Sequence, residues 1–121
     1  MMNDIKFSYK VADEQKNLFT PNHTLFKCKI QFDGKSFSFP FQCNIKHEQP
    51  KLETVLDCLF SDAAAYAEFE NDIDGFYREF GYSSIKDCKK AYDACRRTET
   101  ALNRLFGDKL MDLQSEIYNW K

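Results

Sequence analysis

Glycine and proline are scarce in this chain: four and three among 121 residues. With so few glycines there is no Gly-rich loop to cradle phosphates, and neither a P-loop nor a GxGxxG stretch occurs. Only His23 and His47 are present, and GxSxG and HExxH are missing too. The five cysteines, at 28, 43, 58, 88 and 95, form no CxxC pair and leave an odd count. That pattern speaks against a disulfide framework or a zinc site and for reduced, mostly buried thiols. No apolar run approaches the length of a membrane span. The opening MMNDIKFSYK has no apolar core of the kind a signal peptide needs.

What is present is aromatic and charged. Aromatics make up 16% of the residues and twelve are Phe, enough for one packed core in a single domain. Charge sums to −2 but is unevenly spread. Between Leu52 and Glu79 the acids are Glu53, Asp57, Asp62, Glu68, Glu70, Asp72, Asp74 and Glu79, and Arg78 is the lone base. Lysine is in excess in the N-terminal third and along residues 84–106.

The chain order predicts an α+β fold with a small antiparallel sheet covered by about four helices. Ile5, Phe7 and Tyr9 alternate and predict a strand. Residues 11–23 are polar, contain Pro21 and read as a loop or short helical turn. Phe26, Cys28, Ile30 and Phe32 then alternate up to Asp33-Gly34, and Phe37, Phe39, Phe41 and Cys43 alternate after it. Asp-Gly is a preferred type I′ hairpin turn because both central residues need positive φ. This places Phe32 opposite Lys35, Ile30 opposite Phe37, Cys28 opposite Phe39 and Phe26 opposite Phe41, with the apolar set on one face. Pro40 predicts a sheet edge or a bulge. The Ile5–Tyr9 strand is expected to pair with the first hairpin strand.

Residues 44–51 read as a linker, with Pro50 opening a helix over 51–65 and a break at 66–72. A short helix is expected from Ile73 to Phe80, ending at Gly81. The clearest element is residues 84–106, free of Gly and Pro. It has Ser84 as N-cap with Asp87 three residues on, and Gly107 as an αL exit. Cys88, Ala91, Tyr92, Cys95, Leu102 and Phe106 fall on one side of it. Lys86, Lys89, Lys90, Arg96, Arg97 and Arg104 fall on the other. Asp108 would cap a last helix with Leu110, Leu113, Ile117 and Trp120 inward.

Catalysis is poorly provided for, and no cofactor or metal is expected. His47-Glu48 reads as a solvated loop pair. Asp72 and Asp74, with Glu70 and Glu79 near, lack the EF-hand spacing, and capping by Asp72 is the simpler role. Two charged surfaces remain. Glu68, Glu70, Asp72, Asp74 and Glu79, interleaved with Tyr66, Phe69 and Tyr77, form an acidic surface. It would suit a basic channel that normally holds nucleic acid. The basic helix face, Lys86 to Arg104, is the alternative and would meet phosphates directly. On balance a protein partner is expected, and direct nucleic-acid binding is the second choice.

Four runs carry a resemblance: Leu56 to Ala63, Phe76-Tyr77-Arg78-Glu79-Phe80-Gly81-Tyr82, Lys89 to Cys95, and Leu102 to Gly107. They resemble a group of small proteins encoded by phages, prophages and other mobile elements. These share a Phe-x-x-Glu-Phe-Gly-Tyr segment followed by a helix with Tyr-x-Ala-Cys. The chain departs from the group at 83–86, where Ser-Ser-Ile-Lys replaces an Asp-rich turn. The resemblance implies a non-enzymatic accessory protein, an inhibitor of host defence such as an anti-CRISPR protein or a small regulator. It implies the cytoplasm of a bacterial host, and a partner that is a host protein or ribonucleoprotein nuclease complex. The oligomeric state stays open.

Overall fold

The computed structural model describes residues 1–15, 23–43 and 49–120. Three strands, β1 (Lys6–Gln15), β2 (His23–Phe32) and β3 (Lys35–Cys43), form one antiparallel sheet with β2 in the centre. Four helices follow: α1 (Leu52–Glu68), α2 (Ile73–Phe80), α3 (Ile85–Phe106) and α4 (Leu110–Trp120). The α+β class is as expected.

The hairpin has the expected register, with Phe32, Ile30, Cys28 and Phe26 facing Lys35, Phe37, Phe39 and Phe41. Its turn has φ +52 at Asp33 and +75 at Gly34, the signature of type I′. A type I′ turn makes the flanking Phe32–Lys35 pair a hydrogen-bonded one, and alternation makes Lys27–Pro40 a non-hydrogen-bonded one. The missing donor of Pro40 therefore faces away from β2, and the ladder passes it without a bulge. The bulge lies instead in β1, between Val11 and Asp13.

Several expectations need correction. Residues 11–15 are strand, not loop, and His23 already belongs to β2. Residues 44–48, with the His47-Glu48 pair, lie outside the described residues, as do 16–22. α1 runs on to Glu68, so the break is only residues 69–72. Pro50 does not open the helix: Lys51 is the N-cap and Leu52 the first residue of α1, so Pro50 lies one residue before the cap. Gly107 has positive φ, but its ψ of −127 is not αL; the αL exit belongs to Gly81 (φ 64, ψ 52). Asp108 lies within a 3-10 turn, Gly107–Lys109, that leads into α4. The caps at Ser84 and Asp72 are as expected: their side chains accept from the N–H groups of Asp87 and Gly75.

The core lies between the sheet and the helices. Phe26, Cys28, Ile30 and Phe39 from the sheet meet Val55, Leu56 and Leu59 of α1. Leu102, Leu105 and Phe106 of α3, with Leu113 and Ile117 of α4, complete it. Phe37 and Phe41 share this face and strand with Phe39 but are only partly buried, packed against the core rather than within it. On the other edge strand Tyr9 and Val11 are 38% and 56% exposed, so the helical cover does not reach that corner. Met1 seals the N-terminus onto α4, its ammonium 3.3 Å from Glu116 Oε1.

Candidate functional site

The N-terminal half of α3 leaves the main core and builds a second, aromatic one. Phe76 of α2 is 1% exposed. Its ring centroid lies 4.7 Å from Phe80, 5.2 Å from Tyr92, 5.7 Å from Tyr82 and 6.2 Å from Phe69. Tyr66 packs edge-on against Tyr92 at 5.2 Å. Such tilted and edge-to-face contacts add to the area they bury. The box joins the end of α1, all of α2 and the start of α3.

This box fixes the α1–α2 corner. The Tyr92 hydroxyl donates to the Phe69 carbonyl at 2.9 Å and accepts from the Asn71 N–H at 3.1 Å. Asn71 itself sits at φ +61, a left-handed turn that Asn tolerates better than most residues. The Asp72 N–H donates to the Phe69 carbonyl at 2.9 Å, and the Asp72 carboxylate accepts from the Gly75 N–H at 3.0 Å. Gly75 is required here, because a Cβ would collide with the Asp72 carboxylate.

Glu68, Glu70, Asp72, Asp74 and Glu79 are all exposed. The structure places Glu68, Glu70, Asp72 and Asp74 in or next to the hydrogen-bonded corner and Glu79 near the other end of α2. It gives one of them, Asp72, a structural task as well. The aromatics expected between the acids divide. Tyr66, Phe69 and Tyr77 are partly buried, and Phe80, which the sequence reading passed over, is 47% exposed. Its place one residue after Glu79 was the available signal.

The basic face of α3 is exposed too, but two of its six residues are engaged. Arg96 Nη2 lies 3.3 Å from Asp93 Oδ1. Arg104 Nη2 donates to the Ser36 carbonyl at 2.7 Å, tying α3 to β3. Lys86, Lys89, Lys90 and Arg97 remain.

Three of the five thiols are held in the protonated form. Burial, and then the Asp62 carboxylate, pushes Cys95 up to about 11. Burial and then Cys43 does the same for Cys28, to about 11. Burial and then Asp74 raises Cys88. A reactive cysteine needs the opposite shift. Cys28, Cys43 and Cys88 are buried and Cys95 is half-buried, whereas Cys58 on α1 is exposed. A thiol reagent at neutral pH should therefore modify Cys58 rapidly and Cys28 and Cys88 only after unfolding. Cys58→Ser should remove the fast phase. A fast phase that survives this substitution would show that another thiol is open.

Among the described residues no group of three or more His, Cys, Asp or Glu is placed to hold a metal ion. The cavities lie elsewhere. One of ≈ 340 Å³ lies between α1 and α4 against Phe60, Ala64 and Tyr118, and one of ≈ 230 Å³ adjoins it at Ala63, Ala67 and Leu102. A third, of ≈ 300 Å³, sits at the hairpin tip beside Lys35, Arg104 and Lys109. Among the described residues no helix is long and apolar enough to cross a membrane. The chain shows no match to any family model, curated protein or solved structure.

Proposed function

We propose that this chain is a non-enzymatic binding protein of a phage or other mobile element. It inhibits a host defence nuclease complex, in the manner of an anti-CRISPR protein, by presenting its acidic corner to a basic, nucleic-acid-binding channel. The observation that supports this reading is the pinned α1–α2 corner with exposed Glu68, Glu70, Asp72 and Asp74, and exposed Glu79 further along α2. Carboxylates on a rigid backbone lose little freedom on docking, which is what a phosphate-mimicking surface needs. Exposed Phe80 beside them offers the apolar anchor that charge alone does not supply. The basic face of α3 is the weaker alternative, since Arg96 and Arg104 already have partners.

The cap at Asp72 dictates the test. Reversing Asp72 would damage the corner itself, at about 1 kcal/mol for a lost N-cap. Glu68→Lys, Glu70→Lys and Glu79→Lys together reverse the sign and leave the cap in place. Each protein is expressed in bacterial hosts that carry one nucleic-acid-guided nuclease and are challenged by a targeted phage. Wild type should restore plaques in at least one host, and the triple variant should not. The triple variant should keep the wild-type circular dichroism and melting. Inhibition that survives in the folded variant would overturn the acidic-surface reading. Absence of inhibition by wild type across the hosts would overturn the inhibitor reading altogether.

A further inference from the structure

The face of the sheet turned away from the helices carries a third charged surface. The register places Lys6 opposite Gln31, Ser8 opposite Lys29, and Lys10 directly opposite Lys27. All four lysines are exposed and lie on the face opposite Phe26, Cys28 and Ile30. Ser8 and Gln31 lie among them, and Leu25 of β2 and Ser36, Ser38, Pro40 and Gln42 of β3 share the face. After the bulge the register brings Asp13, opposite Leu25, to this same face, and neither ion pair of the described residues involves the four lysines.

Lys10 facing Lys27 is locally unfavourable, since like charges directly across an antiparallel pair destabilise it. We propose that this sheet face binds the phosphate backbone of a nucleic-acid duplex, without reading its sequence. Charge complementarity selects a polyanion. Composition selects phosphate over an acidic protein: protein interfaces are depleted in Lys and anchored by Tyr, Trp or Arg, and this face shows none of those anchors. It also lacks the exposed aromatics on which single-stranded bases stack, so the duplex, with its denser charge, is the better ligand. Lysines two residues apart on a strand are separated by roughly 6.6–6.8 Å along it. Lys27 and Lys29 stand at that spacing on β2 and Lys6 and Lys10 at about twice it on β1, so the four can meet several phosphates at once. This surface is distinct from both the acidic corner and the α3 face, and the inference does not depend on either.

The test uses the full chain and a fluorescent duplex of about 20 base pairs in mixed sequence, titrated by anisotropy from about 50 to 200 mM salt. If all four lysines meet phosphates, affinity falls about 100-fold over that range, a log–log slope of roughly −3.6. Lys10→Gln with Lys27→Gln should weaken binding at the lowest salt and flatten the slope by about two. The same variant should melt at or above the wild-type temperature, because it removes the opposed like charges. That pairing of weaker binding with unimpaired stability is something a structural role for the lysines would not produce. Lys86→Gln, Lys89→Gln and Lys90→Gln on α3 should leave binding unchanged. No binding at the lowest salt overturns the proposal, and so does loss of binding only in the α3 variant. Tighter binding of the matching single strand, or equal binding of a polyglutamate peptide, overturns it in favour of a different ligand.

Discussion

Phe76→Ala should cost about 3–5 kcal/mol, the range for emptying a buried Phe site. Set against a typical total stability of about 5–15 kcal/mol, that is a large fraction. The side chain is 1% exposed and touches four other rings, so nothing nearby can swing in to fill the space without giving up its own contacts. The loss should be local before it is global. Phe76 stands outside the cluster that joins the sheet to the helices, so the corner should loosen while the hairpin holds. Hydrogen exchange should show this, with the amides of Asn71 and Gly75 losing protection ahead of those in β2. Phe80→Ala, at a 47% exposed position, should cost far less. A Phe76→Ala protein within about 1 kcal/mol of wild type would mean that the aromatic box is not a packed unit.

Phe39→Ala should be comparably severe, again about 3–5 kcal/mol, but with a different signature. Phe39 is 7% exposed on β3, opposite fully buried Cys28 and stacked on Phe37 at 5.2 Å. It belongs to the main core, so denaturant unfolding should stay a single transition with a lower midpoint. Phe37→Ala, on the same strand and face but only partly buried, should lose less. The order Phe39 above Phe37 follows from the register. Equal losses at the two positions would contradict the way β3 is covered.

The hairpin was legible because two independent signals agreed: strict alternation on both strands and an Asp-Gly pair set between them. α2 and α3 were legible because their caps are local, written in Asp72, Gly81 and Ser84. The extension of β1 was not, because the bulge between Val11 and Asp13 breaks the alternation that would have announced it. The last turn of α1 was missed for a different reason. Ala64, Ala65 and Ala67 carry little periodic signal, but alanine is the strongest helix former, and propensity outweighed pattern there. Of the candidate site, the acids could be named from composition alone. What holds them could not, since Tyr92 reaches Phe69 across 23 residues and Arg104 reaches Ser36 across 68. Contacts at that separation leave no trace in local spacing.

The grip of Arg104 on Ser36 has a consequence for how this protein behaves in concentrated solution. An open strand edge is a template for a strand from another molecule, and β3 forms such an edge. Its outward-pointing backbone groups belong to the non-hydrogen-bonded positions, Ser36, Ser38, Pro40 and Gln42. The Ser36 carbonyl is already occupied by the guanidinium, and Pro40 has no N–H to give. Only Ser38 lies between the two, too short a stretch for an incoming strand to find register. A Phe-rich hairpin that would otherwise invite edge-to-edge aggregation is closed at two points. Arg104→Ala together with Pro40→Ser should reopen it and raise the tendency of the chain to self-associate, read as increased light scattering with concentration.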